Sequence, residues 1–255
     1  FSNPEEKKNL ESWGIETIKA DLLEPDQLNG LPDVPNVVFM AGMKFGATGN
    51  EPLTWAMNTL LPAMVCQKFP KSRIAAFSTG NIYGLSPVTH GGSIESDPLQ
   101  AVGDYAMSCV GRERMFEYFS NINGTQVSLL RLNYATEMRY GVMVDLAQKV
   151  WNNEPISLAM GNFNAIWQGD ANAMALEALG KAASPAFVLN IAGPELLSVR
   201  QVCTEFGKLM DRPVEFIGEE LPDALLSNGQ LGHQLFGHPR VTVKRLIAWR
   251  ADWIM

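Results

Sequence analysis

The sequence contains few cysteines and histidines, and it lacks a long apolar segment. Among its 255 residues are 3 cysteines, at positions 66, 109 and 203, and 3 histidines, at 90, 233 and 238. Both sets are too scattered for a disulfide framework or for the ligand spacing of a zinc site, so we expect no bound metal. No apolar run approaches the roughly 18 residues that a membrane-spanning helix needs.

The chain also lacks an excess of positive charge. Its 20 Lys and Arg residues against 27 Asp and Glu residues give a net charge of −7. A negative chain has no electrostatic footprint for nucleic acid or for an anionic membrane, so we expect neither as a partner. The polar opening FSNPEEKKNL has no apolar core of a signal peptide, and few cysteines suit a reducing compartment. We therefore expect a cytoplasmic protein.

What is present is a globular composition in which strand and helix patterns alternate. Apolar residues make up 46% of the chain and charged residues 18%. Alternating or continuous apolar segments predict strands at 15–20, 36–41, 73–78, 126–132 and 186–192. Helical patterns fall between them, at 51–69, 104–120 (with Asp104 as the predicted N-cap) and 170–182. This order predicts an α/β fold with a Rossmann-type, doubly wound parallel sheet, followed by shorter elements that form a small C-terminal lobe.

Polar and small residues follow the predicted strands at the points where ligands bind to such sheets. In open α/β folds the ligand lies beyond the carboxyl ends of the parallel strands. The residues at those ends are Asp21-Leu22, Gly42-Met43, Thr79-Gly80-Asn81 and Asn133-Tyr134. We therefore expect the functional site at this edge of the sheet, with a small molecule as its partner.

The ordered series of these segments resembles the extended short-chain dehydrogenase/reductase superfamily, of the NAD-dependent epimerase/dehydratase type. The resemblance spans essentially the whole chain. It is carried by ADL at 20–22, VVFMAG at 37–42, Asn58 in WAMNTLLPA, FSTGNIYG at 77–84, YAMSCVGRE from Tyr105, and LNIAGPELLSVRQV at 189–202. It implies an NAD(P)-binding domain formed by 1–134 and 166–192, and a substrate-binding lobe formed by 135–165 and 193–255.

The resemblance also implies roles for individual residues. Tyr105 would act as the acid/base, and Thr79 would hydrogen-bond the substrate. The cofactor, NAD or NADP, would be contacted by Asp21, Leu22, Ala41, Gly42, Asn58, Ser78, Tyr105 and Cys109. Substrate contacts are expected from Asn81, Asn133 and Tyr134, and from Arg139 and Trp167, a cation and a ring that suit phosphates and sugars.

Two departures from the family pattern bear on function. The glycine-rich turn that holds the pyrophosphate is not found near the start, so we expect the first βαβ stretch to precede Phe1. The residue that distinguishes NAD from NADP would lie there too, which leaves that choice open. The second departure is Cys109, which stands four residues after Tyr105, where the family has a lysine.

A thiol at position 109 offers no permanent positive charge, so Tyr105 is expected to be a poor base at neutral pH. Two cations could replace the lysine. Arg112 lies on the same helical face, although pairing with a surface carboxylate is the favoured interpretation. Lys44 follows the strand-end cluster, although a solvated loop position is favoured for it.

The motifs predict an NAD(P)-dependent oxidoreductase or epimerase that acts on a hydroxyl/keto carbon of a sugar-like, small polar substrate, with nucleotide sugars among the candidates. Gly80 and Asn81 replace the Asp-Glu pair of the family's dehydratases, which disfavours dehydration. The alternative is a catalytically weak NAD(P)-binding sensor or scaffold. The helices at 51–69 and 104–120 could pair in a homodimer.

Overall fold

The computed structural model describes residues 4–44 and 48–255. Its helices within these ranges are α1 (Pro4–Ser12), α2 (Pro25–Asn29), α3 (Glu51–Trp55), α4 (Leu61–Lys68), α5 (Gly103–Asn123), α6 (Val142–Trp151), α7 (Gln168–Ala178), α8 (Val199–Met210), α9 (Gln230–Phe236) and α10 (Val243–Ile254). Its strands are β1 (Asn36–Phe39), β2 (Arg73–Thr79), β3 (Ser86–Pro87), β4 (Gln126–Leu132), β5 (Ala135–Thr136), β6 (Ile156–Ser157), β7 (Asn162–Phe163), β8 (Ile166–Trp167), β9 (Phe187–Ile191), β10 (Leu197–Ser198), β11 (Phe216–Ile217) and β12 (Asp223–Ala224). None of the described helices is long and apolar enough to cross a membrane.

Four parallel strands form the central sheet, in the order β1-β2-β4-β9. This confirms the predicted α/β fold. Helices α4 and α5 pack against one face of the sheet, where Leu61 and Phe116 join a cluster with Ile74. Helix α7 covers the other face, where Met174 packs with Phe77. Because both faces are covered, the strands are nearly continuous apolar runs, which made them easy to predict.

The predicted helix at 51–69 is interrupted by a π-helical turn, Ala56–Leu60, between α3 and α4. Pro62, in the first turn of α4, has no backbone N–H to donate to the carbonyl of Asn58 four residues earlier. That carbonyl is therefore free to accept a hydrogen bond from another element. The π turn also carries the buried side chain of Asn58.

The largest cluster of buried apolar residues lies outside the sheet and joins α6, α8 and α10 through Met143, Phe206 and Leu246. This cluster agrees with the predicted C-terminal lobe, whose boundaries remain a prediction. Asp170 in α7 connects the two parts, since its Oδ2 accepts a hydrogen bond from the N–H of Val241 at 3.0 Å.

Two local predictions were wrong. Residues 15–20 do not form a strand, because no described strand lies beside them to complete a ladder, and an alternating pattern alone does not hold a strand in water. Asp104 does not cap α5, whose N-cap is Val102. The Asp104 carboxylate instead accepts a hydrogen bond from the indole of Trp55 at 2.8 Å.

Candidate active site

Thr79, at the carboxyl end of β2, and Tyr105, in the first turn of α5, line the same cavity of about 710 Å³. A second cavity of about 730 Å³ adjoins it, and Asn81, Tyr105 and Tyr134 line both. The two candidate catalytic side chains thus face one cleft at the edge of the sheet where parallel α/β folds bind ligands.

The environment of each hydroxyl is defined by its neighbours. The Thr79 hydroxyl accepts a hydrogen bond from the N–H of Asn81 at 3.2 Å, which starts a short 3₁₀ turn. Burial raises the pKa of Tyr105 to about 12, and the adjacent Cys109 adds to the increase. Hydrogen bonding to Thr79 and the positive charge of Arg112 act in the opposite direction. Tyr105 is therefore a protonated phenol at neutral pH.

Cys109 is buried against Ile82 and Tyr83 and lines neither cavity. Burial is the main cause that raises the pKa of its thiol. A protonated thiol in an apolar cluster is a small hydrophobic side chain rather than a nucleophile. Its predicted contact with a cofactor remains a prediction.

Arg112 does not pair with a surface carboxylate, so the favoured interpretation of it was wrong. Its side chain is buried, and no ion pair to it is found in residues 4–44 and 48–255. Its guanidinium donates to the Phe77 carbonyl at 2.6 Å, to Asn58 Oδ1 at 2.6 Å and to the Asn58 carbonyl at 3.4 Å. The last acceptor is the carbonyl that Pro62 leaves free.

Asn58 also fixes the loop that follows β1. Its Oδ1 accepts a hydrogen bond from the N–H of Met43 at 2.8 Å, and its Nδ2 donates to the Met43 carbonyl at 3.0 Å and to Ser108 Oγ at 3.0 Å. Asn58 thus supports the backbone at Met43, and its predicted contact with a cofactor remains a prediction. Both backbone hydrogen-bonding groups of Met43 are held in place.

Ser78 lies beside the cleft with a buried hydroxyl that has no hydrogen-bond partner in the described chain. The residue lines the cavity next to Thr79. A buried polar group without a partner is costly, and a bound molecule with a complementary group would satisfy it. This observation fits a polar cofactor at the predicted place.

On the substrate side, Asn133 lines the cleft and belongs to a buried amide pair. Asn133 donates to Asn164 Oδ1 at 2.7 Å, and Asn164 donates to the Ser227 carbonyl at 2.7 Å. A Cβ at Gly80 would lie 2.6 Å from Ser227 Oγ and 2.9 Å from Asn133 Oδ1. Glycine is therefore required at that position unless its neighbours move. Tyr134 follows with a φ of 42° and lines both cavities.

Two of the predicted substrate contacts lie elsewhere. Arg139 lines neither cavity, and its exposed guanidinium pairs with Glu137 at 3.1 Å. Trp167 also lines neither cavity, and its ring packs into the lobe cluster against Trp249. Their contacts with a substrate remain predictions.

The predicted cofactor contacts on the amino-terminal side do not line the two cavities. The carboxylate of Asp21 accepts the N–H of Leu23 at 3.0 Å, and Leu22 packs against the sheet cluster. Ala41 packs against the same cluster, and Gly42 lies beside the Arg112 guanidinium. Their contacts with a cofactor remain predictions. The described residues contain no group of three or more His, Cys, Asp or Glu side chains that could hold a metal.

A buried ionic network behind the site was not predicted from the sequence. Glu113 in α5 is fully buried and pairs with Arg131 of β4, with Nη2 to Oε2 at 2.8 Å. Arg131 also donates to the Tyr83 hydroxyl at 2.7 Å, and that hydroxyl donates to Asn190 Oδ1 at 2.8 Å. An arginine inside an otherwise apolar strand was the signal for it, since such a charge needs a buried partner.

Comparison with solved structures shows which proteins have a similar fold. RMD from Pseudomonas aeruginosa, complexed with NADPH, is 17% identical, with a TM-score of 0.78 over 97% of this chain and 94% of that chain. The Bacillus cereus UDP-glucuronic acid 4-epimerase, in complex with NAD, is 16% identical, with a TM-score of 0.78 over 97% and 84% of the two chains. This chain has their fold.

A third structure, UDP-glucose 4-epimerase from Thermotoga maritima with UDP-glucose, is 15% identical, with a TM-score of 0.79 over 94% of this chain and 84% of that chain. No protein-family model matches the sequence, and a search of curated protein sequences finds no relative. The solved structures confirm the predicted fold.

Proposed function

We propose that the chain is an NAD(P)-dependent oxidoreductase or epimerase that acts on a hydroxyl/keto carbon of a small, polar, sugar-like substrate. The observation that carries this proposal is the placement of Thr79 and Tyr105 in one cleft at the carboxyl ends of the parallel strands. The similar folds that bind NADPH, NAD and UDP-glucose support the classes of cofactor and substrate.

The nicotinamide ring, when bound, supplies hydride chemistry. Ser78 would donate to or accept from the cofactor, because its buried hydroxyl has no other partner in the described chain. Thr79 would hydrogen-bond the reacting oxygen of the substrate. Tyr105 carries its proton at neutral pH, so it would donate that proton to a substrate carbonyl oxygen. Reduction of a ketone is thus the favoured direction.

Dehydration remains disfavoured, and the structure adds a steric reason. The acidic pair of a dehydratase would begin at Gly80, where any Cβ would press against Asn133 and Ser227. Asn81, at the second position, lines the cleft but carries no ionisable group. The site therefore lacks a side chain that could transfer the second proton of an elimination at this place.

Ligand stabilisation followed by turnover tests the proposal. We expect NADH or NADPH to raise Tm, since a ligand at 100 times its Kd stabilises the native state by about 2.7 kcal/mol. NADPH oxidation should then be followed with a panel of keto sugars and nucleotide sugars. We expect Tyr105→Phe to lower kcat by about 100-fold or more and Thr79→Ala by about 100-fold.

The matched control is Tyr118→Phe, an exposed phenol on the same helix and outside the cleft, which should leave kcat unchanged. No stabilisation by any nicotinamide nucleotide would refute the proposal. Stabilisation without turnover of any carbonyl compound would favour the sensor or scaffold, which the neutral Cys109 makes the second candidate.

We also propose that the chain forms a homodimer through α5 and the neighbouring π turn. Met107 and Ile122 are exposed along one face of α5, and Leu60 is exposed on the neighbouring π turn. Sedimentation should give a dimer, and Ile122→Glu should shift it to monomer. A monomeric wild type at micromolar concentration would refute this part of the proposal.

A further inference from the structure

Arg112 is a charged side chain that has no role in the chemistry proposed for Ser78, Thr79 and Tyr105. It is 6% exposed, and a guanidinium stays protonated at every pH at which proteins fold. Its hydrogen-bond acceptors are the neutral oxygens of Phe77 and Asn58, and it pairs with no carboxylate in the described part of the chain. Its positive charge is therefore solvated by dipoles but not cancelled by a negative partner.

The nearest buried carboxylate is already neutralised. Glu113, the next residue, is engaged by Arg131 on the β4 side of the helix. The field of Arg112 thus acts on its other surroundings through a medium of low dielectric, in which a charge is felt over longer distances than in water. The guanidinium also fills the space beside Gly42, since a Cβ at that position would collide with Nη2 of Arg112.

The placement of Arg112 relative to Tyr105 makes the phenol one recipient of this field. Seven residues separate them on α5, which is about 10 Å along the axis, and helical side chains lean toward the amino terminus. Thr79 faces the phenol from β2, and the charge of Arg112 acts on both Tyr105 and Cys109. The other charged groups around the two cavities lie at exposed or half-buried positions, where water screens them: Lys44, Glu51, Asp104 and Asp145.

We propose that Arg112 is a positioning residue that supplies the positive charge favouring an ionised Tyr105, in place of the lysine that Cys109 replaces. This inference rests on the proposed function for its catalytic meaning. The guanidinium lies two turns further along the helix, where it donates to the Phe77 carbonyl, two residues before Thr79 in β2. It acts through its charge and does not touch a substrate.

Fluorotyrosine at position 105 tests the inference without cofactor or turnover. Fluorination lowers the intrinsic pKa of the phenol, so that its ionisation can be followed by ¹⁹F NMR while the chain is folded. Arg112→Gln keeps hydrogen-bond donors but removes the charge. A unit charge at about 10 Å, with an effective dielectric of about 20, predicts that the midpoint rises by about one pH unit.

Two variants separate charge from packing. Arg112→Lys keeps the charge and should keep most of the wild-type midpoint even where it lowers Tm. Arg114→Gln removes an equal charge from the same helix at an exposed position, and its midpoint should stay at the wild-type value. Equal midpoints for Arg112→Gln and Arg114→Gln would overturn the proposal.

Rescue provides the second measurement. Cys109→Lys in the Arg112→Gln background restores a cation one turn from the phenol and should return the midpoint to or below its wild-type value. A folded double variant whose midpoint stays raised would also overturn the proposal. A raised midpoint in Arg112→Gln without NADPH binding would refute only the proposed function, whereas NADPH turnover with an unmoved midpoint would refute only the role of Arg112.

Discussion

The two faces of α5 handle buried charge in opposite ways. On the β4 side, Glu113 and Arg131 form a buried ion pair, and each charge is cancelled by the other. On the β2 side, Arg112 is held by the neutral oxygens of Phe77 and Asn58. The two charged residues are adjacent in sequence, but only the charge of Arg112 acts on the pKa of Tyr105. The Glu113–Arg131 pair therefore links α5 to β4, whereas the charge of Arg112 favours the ionised form of Tyr105.

Removing the carboxylate on the paired face should have the largest effect. Glu113→Gln leaves Arg131 buried without a counter-charge, so we expect the free energy of unfolding to fall by about 3–5 kcal/mol in urea denaturation. The control is Glu117→Gln in the exposed pair with Arg114, which should cost less than about 0.5 kcal/mol. Similar losses for the two variants would mean that the buried pair does not hold the helix.

A methyl group added at Gly42, on the β2 side of α5, should lower the free energy of unfolding by less than Glu113→Gln does. Gly42→Ala places a Cβ against the Arg112 guanidinium, so we expect a loss of about 1–3 kcal/mol from overpacking. Gly180→Ala, where a Cβ meets nothing within 4 Å, should be neutral or slightly stabilising. The loss at Gly42 should shrink in an Arg112→Gln background. An undiminished loss would show that the guanidinium is not the obstacle.

The protonation state of Tyr105 predicts an asymmetric pH profile. Its pKa is raised to about 12, so the acid form needed for reduction is complete at neutral pH. The base form needed for oxidation grows about tenfold per pH unit. We expect the oxidation rate to rise with pH between 7 and 10 while the reduction rate stays flat. An oxidation rate that levels off near pH 7 would show that Tyr105 ionises near neutral pH and would contradict this prediction.

The smallest effect is expected at Cys109, between the two faces. Its thiol behaves as a small apolar side chain, so Cys109→Ala should lower the free energy of unfolding by only about 1 kcal/mol. Urea denaturation measures this loss alongside that of Glu113→Gln. A loss as large as the one at Glu113 would assign the thiol a structural role that its apolar contacts do not indicate.

The sheet could be predicted from the sequence because its strands are buried on both faces. The segments 73–78 and 126–132 are runs of apolar residues, and the structure places β2 and β4 there almost without change. The strand predicted at 15–20 was wrong because an alternating pattern forms a strand only where a neighbouring strand is present. The N-cap predicted at Asp104 was wrong because its carboxylate accepts a hydrogen bond from the indole of Trp55, which is distant in sequence.

The cleft could be predicted only in part. Thr79 and Tyr105 follow from a motif that fixes one residue at a strand end and the other at a helix start. The direction of a long side chain does not follow from spacing, which is why Arg112 was expected at the surface and Trp167 in the cleft. Each depends on what the neighbouring elements leave open, such as the carbonyl that Pro62 frees at Asn58.

The contact between Gly42 and Arg112 has a consequence for the evolution of this chain. A Cβ at position 42 would occupy the space that the Arg112 guanidinium fills. A larger residue at position 42 therefore lowers stability as long as position 112 is an arginine. In related sequences the two positions should covary: an arginine at the helix position should accompany glycine after the first described strand, and alanine or serine there should accompany a short, uncharged residue on the helix.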